Sequence, residues 1–391
     1  MKEPSFTLGV EEEYLLVDRK TRDLVQTMPA PMLEQCAARI EGQQVKPEFM
    51  RSQIEIGTRI CRSIAEVRDS LAVLRGAVVG VADEHGLAPL AVSTHPFAVW
   101  MSQKHTERAR YHALFEEMQA AARRLLICGM HVHVGIEDEE LRVDLMNQFS
   151  YFLPHLLALS CSSPFWEGID TGLKSFRLTV FDALPRTGVP ERFSSHAEYQ
   201  RLVRVMTEAG LIEDASKIWW DLRPSARYPT LETRVMDVCT DLDDAICLAA
   251  LVVSLLRMMW RLRCGNQRWR TYSPLLIREN RWRAMRYSFD QGLLDLGRGK
   301  VIPFPQLLEE LLALIRDDAA ALGCTAEVEH ARTILARGTS AHRQIDVRRK
   351  ALAAGATEAE AFVAVVDHLI EETRRGVRRP PDEASSMPAA S

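Results

Sequence analysis

Several things are missing from this chain, and each absence narrows what it can be. There is no excess of basic residues: 49 Lys and Arg stand against 53 Asp and Glu, for a formal charge of -4. No global field therefore advertises a nucleic acid or an anionic membrane as a partner. The eight cysteines, at 36, 61, 128, 161, 239, 247, 264 and 324, include no Cys-x-x-Cys pair, and without an export signal they read as reduced core residues. Met1-Lys2-Glu3-Pro4 carries an acid and a proline where such a signal has a basic start and then an apolar run, so the cytoplasm is the expected compartment. The longest apolar stretch, Ala245 to Trp260, is broken by Ser254 and Arg257; it is short and polar for a bilayer crossing and reads as a buried helix. Also absent are a G-x-x-x-x-G-K-[ST] P-loop, a G-x-G-x-x-G after a strand and a G-x-S-x-G elbow. A bound nucleotide would have to rest on metals and arginines rather than on a glycine loop.

What is present is a composition that can bury a core, with 47% hydrophobic and 26% charged residues, which excludes disordered and low-complexity classes. Period-2 alternation predicts strands at 5–17, 44–57, 86–93, 129–136, 217–223 and 230–238. Amphipathic stretches predict helices near 63–84, 106–125, 138–161 and 196–209, and nearly everything after 241 reads as helix. Buried parallel strands would be continuous apolar runs. These are one-sided, which points to a largely antiparallel sheet with helices on one face, an α+β architecture. With no internal repeat and no Gly/Ser/Pro-rich linker, residues 1–375 read as one domain. Residues 376–391, rich in proline and small side chains, read as a disordered tail.

The strands carry the chemistry. Alternation over 6–17 places Phe6, Leu8, Val10, Tyr14 and Leu16 on one face and Glu11 and Glu13 on the other. Glu12 falls on the apolar side, a conflict that a bulge would resolve. Met130, Val132, Val134 and Ile136 pack one way and His131 and His133 the other. Ile54 and Ile56 oppose Gln53 and Glu55; Leu231, Thr233 and Val235 oppose Glu232 and Arg234. A lone Glu-x-Glu or Glu-x-Arg is usually a solvated face, and a strand histidine is as often structural as a ligand. Four such strands together are harder to dismiss, because crowded carboxylates repel unless cations neutralise them. A mostly oxygen ligand set suits Mg²⁺ or Mn²⁺ better than zinc, and hard cations point to phosphate chemistry. Arg177, Arg186, Arg223, Arg227 and Arg234 offer guanidinium forks that match carboxylate and phosphate oxygens.

In order along the chain, Thr7-Leu8-Gly9-Val10-Glu11-Glu12-Glu13-Tyr14, Arg51-Ser52-Gln53-Ile54-Glu55, Gly129-Met130-His131-Val132-His133-Val134-Gly135, Asp170 to Arg177 with Leu184-Pro185-Arg186-Thr187-Gly188, and Trp219 to Ser225 followed by Pro229 to Asp237 resemble the YbdK-type carboxylate-amine ligases. That is the glutamate-cysteine ligase type 2 family, within the glutamine synthetase-like superfamily, and the match runs from about residue 5 to 375. The resemblance implies a glutamine synthetase-like catalytic fold: a curved, mostly antiparallel sheet whose concave face holds the metals, with helices packed on the outer face. It implies ATP as cosubstrate and two or three Mg²⁺ or Mn²⁺ ions. By motif, Glu11, Glu13, Glu55, His131 and Glu232 would be metal ligands. Glu48 would be a further one, although its odd spacing from Glu55 puts it on the wrong face of a regular strand. Arg234 would grip the transferred phosphoryl group, with Arg177 and Arg223 also at the reacting groups, and His133, Arg227 and Arg186 would serve the nucleotide. The implied reaction joins L-glutamate, through its γ-carboxyl, or another carboxylate to L-cysteine or another amine by way of an acyl phosphate. Kinship also suggests a homo-oligomer such as a homodimer, with small-molecule substrates and neither nucleic acid nor membrane as partner. Water must be kept from an acyl phosphate, so segments 94–105 and 182–195 are candidate covers.

Two other functions compete. His131 and His133 could hold zinc in an amidohydrolase, which would need further ligands, with His95 and His155 the nearest choices. Residues 257–286 carry nine arginines and Trp260, Trp269 and Trp282 against one acid, Glu279, a composition that could pair phosphates and stack bases. Arginine stems covering apolar helix surface explain the same pattern.

Overall fold

The computed structural model describes residues 2–40, 42–107 and 115–378. Its centre is a seven-stranded antiparallel sheet made of β1 (Leu8–Asp18), β2 (Gln44–Pro47), β3 (Gln53–Gly57), β4 (Leu87–Leu90), β5 (Met130–Gly135), β6 (Leu222–Pro224) and β7 (Thr230–Thr233). The order is β6-β7-β5-β1-β3-β2, with β4 also paired to β1. β1 is the hub: its first half is held between β3 and β5 and its second half meets β4. The stretch predicted as one strand over 44–57 is two strands, because residues 48–52 turn between them.

Helices cover the apolar face, as the one-sided pattern requires, and the fold is α+β. α1 (Ile64–Glu84) lies against β1, β3 and β4, and α2 (Leu242–Cys264) lies against β5 and α1. Ser63 starts α1 by accepting from the Glu66 N–H, while the Glu66 carboxylate takes the Arg62 N–H, a reciprocal use of otherwise unpaired donors. Asp241 does the same service for α2, accepting from Asp243. At 23 residues α2 exceeds the apolar stretch seen in the sequence and is long and apolar enough to cross a membrane by composition, yet it is mostly buried inside the protein. Leu8, Val10, Tyr14, Leu16, Ile54, Ile56, Met130, Val132, Val134 and Leu231 all pack into the resulting core.

Glu12 needs no bulge. It stays in register opposite Ile56 and Met130, points into the core with no exposure, and is met there by Arg75 of α1. The guanidinium donates to both carboxylate oxygens at 2.8 and 2.6 Å and to the carbonyls of Cys239 and Thr240 at 2.8 Å each. Tyr14 donates its hydroxyl to the same carboxylate. The buried pair therefore ties β1 and α1 to the chain that enters α2.

Three further expectations meet the structure in part. Seven cysteines are buried, but Cys264, at the end of α2, is exposed. The helix predicted over 106–125 falls partly on residues 108–114, outside the described residues, and Ala120–Arg123 is helical. The tail read as beginning at 376 is anchored at its start, because Arg378 donates its N–H to Ala72 and pairs with Asp69. The rest of that segment, from 379, lies outside the described residues.

Candidate active site

Cross-strand register builds the floor of the site in rows. Lys46, Glu55 and Glu13 stand opposite one another on β2, β3 and β1. Glu11 faces His131 on β5. His133 faces Glu232 on β7, which faces Arg223 on β6. Directly opposed residues share a face, so the alternation read from the sequence puts all of these on one side, above a cavity of about 500 Å³ that they line.

At one end of the cavity the carboxylates of Glu13, Glu48 and Glu55 bring oxygens within 4.8 Å of one another. Strand parity excluded Glu48 from this group, but Glu48 lies just past the end of β2, where the chain has left the pleat. Burial and the neighbouring charge of Glu55 push the Glu13 carboxyl up to about 7. Burial, then Glu13 and Glu55, hold Glu48 well above the usual carboxylate range, and Glu55 is raised by burial and by Glu11. Lys46, 3.4 Å from Glu55, offsets only part of this repulsion. Carboxyls driven to hold protons by one another are matched chemically by a divalent cation, so this end fits Mg²⁺ or Mn²⁺.

The middle of the floor behaves differently. Burial raises Glu11, but hydrogen bonds from His131 and His133 outweigh it and keep Glu11 ionised; His131 Nδ1 lies 3.2 Å from its carboxylate. Burial and Arg234 push His131 itself down to about 4, leaving a neutral imidazole of the kind that ligates metals. His133 is raised despite burial, by Glu11 and Glu232, and shares a hydrogen bond with Thr230 at 3.0 Å. Glu232 is held low, its burial outweighed by Arg234 and Arg223. Arg223 forks onto its two oxygens at 2.9 and 3.2 Å, and Arg234 pairs with it as well. The carboxylate expected to hold a metal is thus also clasped by two arginines.

Arg177 opens α3 (Arg177–Phe181) and is almost wholly buried, yet its Nε and Nη1 have no hydrogen-bond partner among the described residues. Two features that the sequence reading left without a role position it. A Cβ added to Gly129 would lie 2.4 Å from Nη2 of Arg177, so only glycine admits the guanidinium beside β5. Asp237, fully buried, accepts from Ser162 N–H and from the hydroxyls of Ser163 and Ser175, and the Ser163 hydroxyl accepts the N–H of Arg177. Arg227 lines the cavity from its exposed rim. Arg186 does not line it: its guanidinium lies over Trp219 and donates to the Lys217 carbonyl. Of the two segments expected to cover the site, 182–195 contributes Leu184 to the wall, whereas 94–105 contributes no lining residue.

The rival readings lose their residues. His95 binds the Arg22 carbonyl and the N–H groups of Phe97 and Ala98, and His155 is buried among Tyr151, Phe152 and Phe304. Neither lines the cavity with His131. In the 257–286 segment, Arg257 and Arg261 pair with Asp318, Arg263 and Arg268 with Asp144, and Arg281 with Asp182 and Asp221. These arginines bind the fold together.

Residues 7–375 match the sequence profile of the glutamate-cysteine ligase family 2 (GCS2). The chain belongs to that family. A relative from Rhodospirillum rubrum is 61% identical over 95% of this chain and 97% of its own, and one from Paracoccus denitrificans is 55% identical over 96% and 99%; both carry the name "Putative glutamate--cysteine ligase 2". Among solved structures, the glutamate-cysteine ligase of Francisella tularensis in complex with AMP superposes with a TM-score of 0.69 at 13% identity, over 96% of this chain and 90% of that one. A bifunctional glutathione synthetase from Pasteurella multocida gives 0.67 at 14%, over 94% of this chain and 53% of that one. At such identities the agreement is one of fold, and it places this member of the family in the glutamate-cysteine ligase architecture.

Proposed function

We propose that this family member is an ATP-dependent carboxylate-amine ligase that forms an amide through an acyl phosphate, with L-glutamate as the acid and L-cysteine as the amine. The observation that carries the reading is the pairing, in one cavity, of a three-carboxylate cluster with buried guanidinium N–H groups that lack partners among the described residues. The first suits cations and the second suits anionic oxygens. Glu13, Glu48 and Glu55 would hold one divalent cation, with Glu11, His131 and Glu232 as donors for a second. Such ions screen the charge that keeps a carboxylate from a polyphosphate.

The chain's own groups supply the rest. Arg177 and Arg234 present fixed positive charge where the acid and the transferred phosphoryl group meet, while Arg223 holds Glu232 in place on the floor. A substrate carboxylate oxygen attacks the γ-phosphorus of ATP and ADP leaves. The amine then attacks the acyl carbon, phosphate departs and the amine loses a proton. No enzyme nucleophile is needed, and the wall formed by Phe49, Leu125, Ile127, Phe181 and Leu184 limits water around the reacting carboxyl. We take residues 1–375 as the catalytic domain and small molecules as the substrates, in the cytoplasm.

Phosphate release from ATP and Mg²⁺ with glutamate, screened across amines including cysteine, tests the reading. Glu13→Gln and Arg234→Ala should each lower turnover by about a hundredfold or more, as expected for lost transition-state charge stabilisation, in protein that keeps the native circular dichroism spectrum. Amide hydrolysis by a zinc-loaded protein without ATP would overturn it.

A further inference from the structure

At the edge of the cavity away from the carboxylate cluster lies a residue that the motifs do not include. Lys217 ends a short 3₁₀ turn, Ala215–Lys217, and its side chain is 7% exposed while lining the cavity. Its stem is packed away while the residue lines the cavity, which leaves the ammonium available to an anionic oxygen that enters there. No oxygen accepts a hydrogen bond from it among the described residues. Its nearest acid, Glu213, is 3.8 Å away, beyond hydrogen-bond distance, and is itself 72% exposed.

The backbone carrying Lys217 is fixed rather than loose. Arg223 Nη1 donates to the carbonyls on either side, Ser216 at 3.0 Å and Ile218 at 2.6 Å, and Arg186 Nε donates to the Lys217 carbonyl at 3.0 Å. This also accounts for Arg186, which supports the turn from outside the cavity. Arg223 has its remaining donors on Glu232. Arg227 is exposed at the rim, so Lys217 is the recessed cation at this end whose hydrogen-bonding capacity is unmet among the described residues.

We propose that Lys217 is a positioning residue that anchors a phosphate of the nucleotide. The inference rests on the ligase reading above. Strand order selects phosphate over substrate carboxylate. The turn is tied to β6, three strands from β1 and its Glu13, a separation of roughly 14 Å at the usual spacing. Arg177, beside Glu13, already offers unpartnered N–H groups to a carboxylate there. A lysine acts on phosphate as a compact point charge, and in the free protein Glu213 is its weak stand-in.

Calorimetric titration of the full-length protein with ADP, with adenosine and with L-glutamate, all with Mg²⁺, tests this in wild type, Lys217→Gln, Lys217→Arg and Glu213→Gln. Lys217→Gln should weaken ADP about tenfold or more, the loss of one charge-assisted hydrogen bond, and leave adenosine unchanged. Lys217→Arg should restore most of the ADP affinity, and Glu213→Gln should leave it equal or tighter. Equal ADP affinity in wild type and Lys217→Gln overturns the inference while sparing the ligase reading. A Glu213→Gln loss that copies Lys217→Gln overturns it in favour of a structural ion pair, and a loss confined to glutamate assigns Lys217 to the carboxylate instead. Wild type that binds no ADP removes the ligase reading itself.

Discussion

Replacing Arg75 by methionine should be among the most destabilising single changes in the protein. The guanidinium makes four hydrogen bonds, two to Glu12 and two to the carbonyls of Cys239 and Thr240, with both side chains fully buried. Methionine fills much of the volume but leaves a buried carboxylate with Tyr14 alone and two carbonyls without donors. Removing one partner of a buried pair costs about 3–5 kcal/mol, and the stranded carbonyls keep the estimate at the upper end. Glu12→Leu leaves the complementary charge stranded and should cost a similar amount. In the double variant no charge remains, so it should be clearly more stable than the sum of the single losses predicts. Urea unfolding followed by circular dichroism reads all three. A single-variant loss below about 1 kcal/mol, or strict additivity in the double, would refute the reasoning, because either result means the pair is not desolvated as its geometry implies.

Other outcomes follow from the site. Gly129→Ala puts a methyl where Nη2 of Arg177 lies; ligase turnover should fall at least tenfold, since a displaced charge no longer meets the reacting group, while melting changes little, and full activity would remove Arg177 from its assigned position. The metal-free protein should lose stability as pH rises from about 4.5 to about 7, because folded Glu13 still holds a proton that the unfolded chain has released. Glu48 and Glu55 act in the same direction. Glu11 and Glu232, held low when folded, contribute stability above their ordinary range that is lost only in more acid solution. Mg²⁺ should therefore raise the melting temperature more at pH 8 than at pH 6, and a pH-independent increment in EDTA-treated protein would contradict the cluster. A thiol reagent should titrate one cysteine quickly in the native protein, Cys264, and the other seven only in denaturant; two or more fast thiols would count against the burial described.

How far the sequence revealed the site depended on whether the residues sat in regular strands. Period-2 parity alone put Glu11, Glu13, Glu55, His131, His133 and Glu232 on one face, and the register bears it out. The same rule failed for Glu48, which stands in a turn where parity has no meaning. It flagged Glu12 correctly as a conflict, but the resolution lay 63 residues away in Arg75, beyond any local pattern. The Arg-rich 257–286 stretch looked unbalanced in sequence because its counter-ions, Asp144 and Asp318, arrive from distant segments. Lys217 escaped because a lysine at the end of an irregular turn has no periodicity to mark it.

The central position of β1 also carries a consequence for how the protein is made. Residues 8–18 leave the ribosome before every neighbour that β1 requires, and its second edge is covered only by β5, roughly 120 residues after Glu11. At the usual pace of synthesis that interval is on the order of 6–24 s. Throughout it the first strand, Leu8-Gly9-Val10-Glu11-Glu12-Glu13-Tyr14-Leu15-Leu16-Val17, has at least one open edge. Its three consecutive acids then act as a guard, because a strand that repels its own copies does not pair with them while it waits. The carboxylates proposed to hold metal in the finished enzyme thus protect the nascent chain from self-association before any metal can bind.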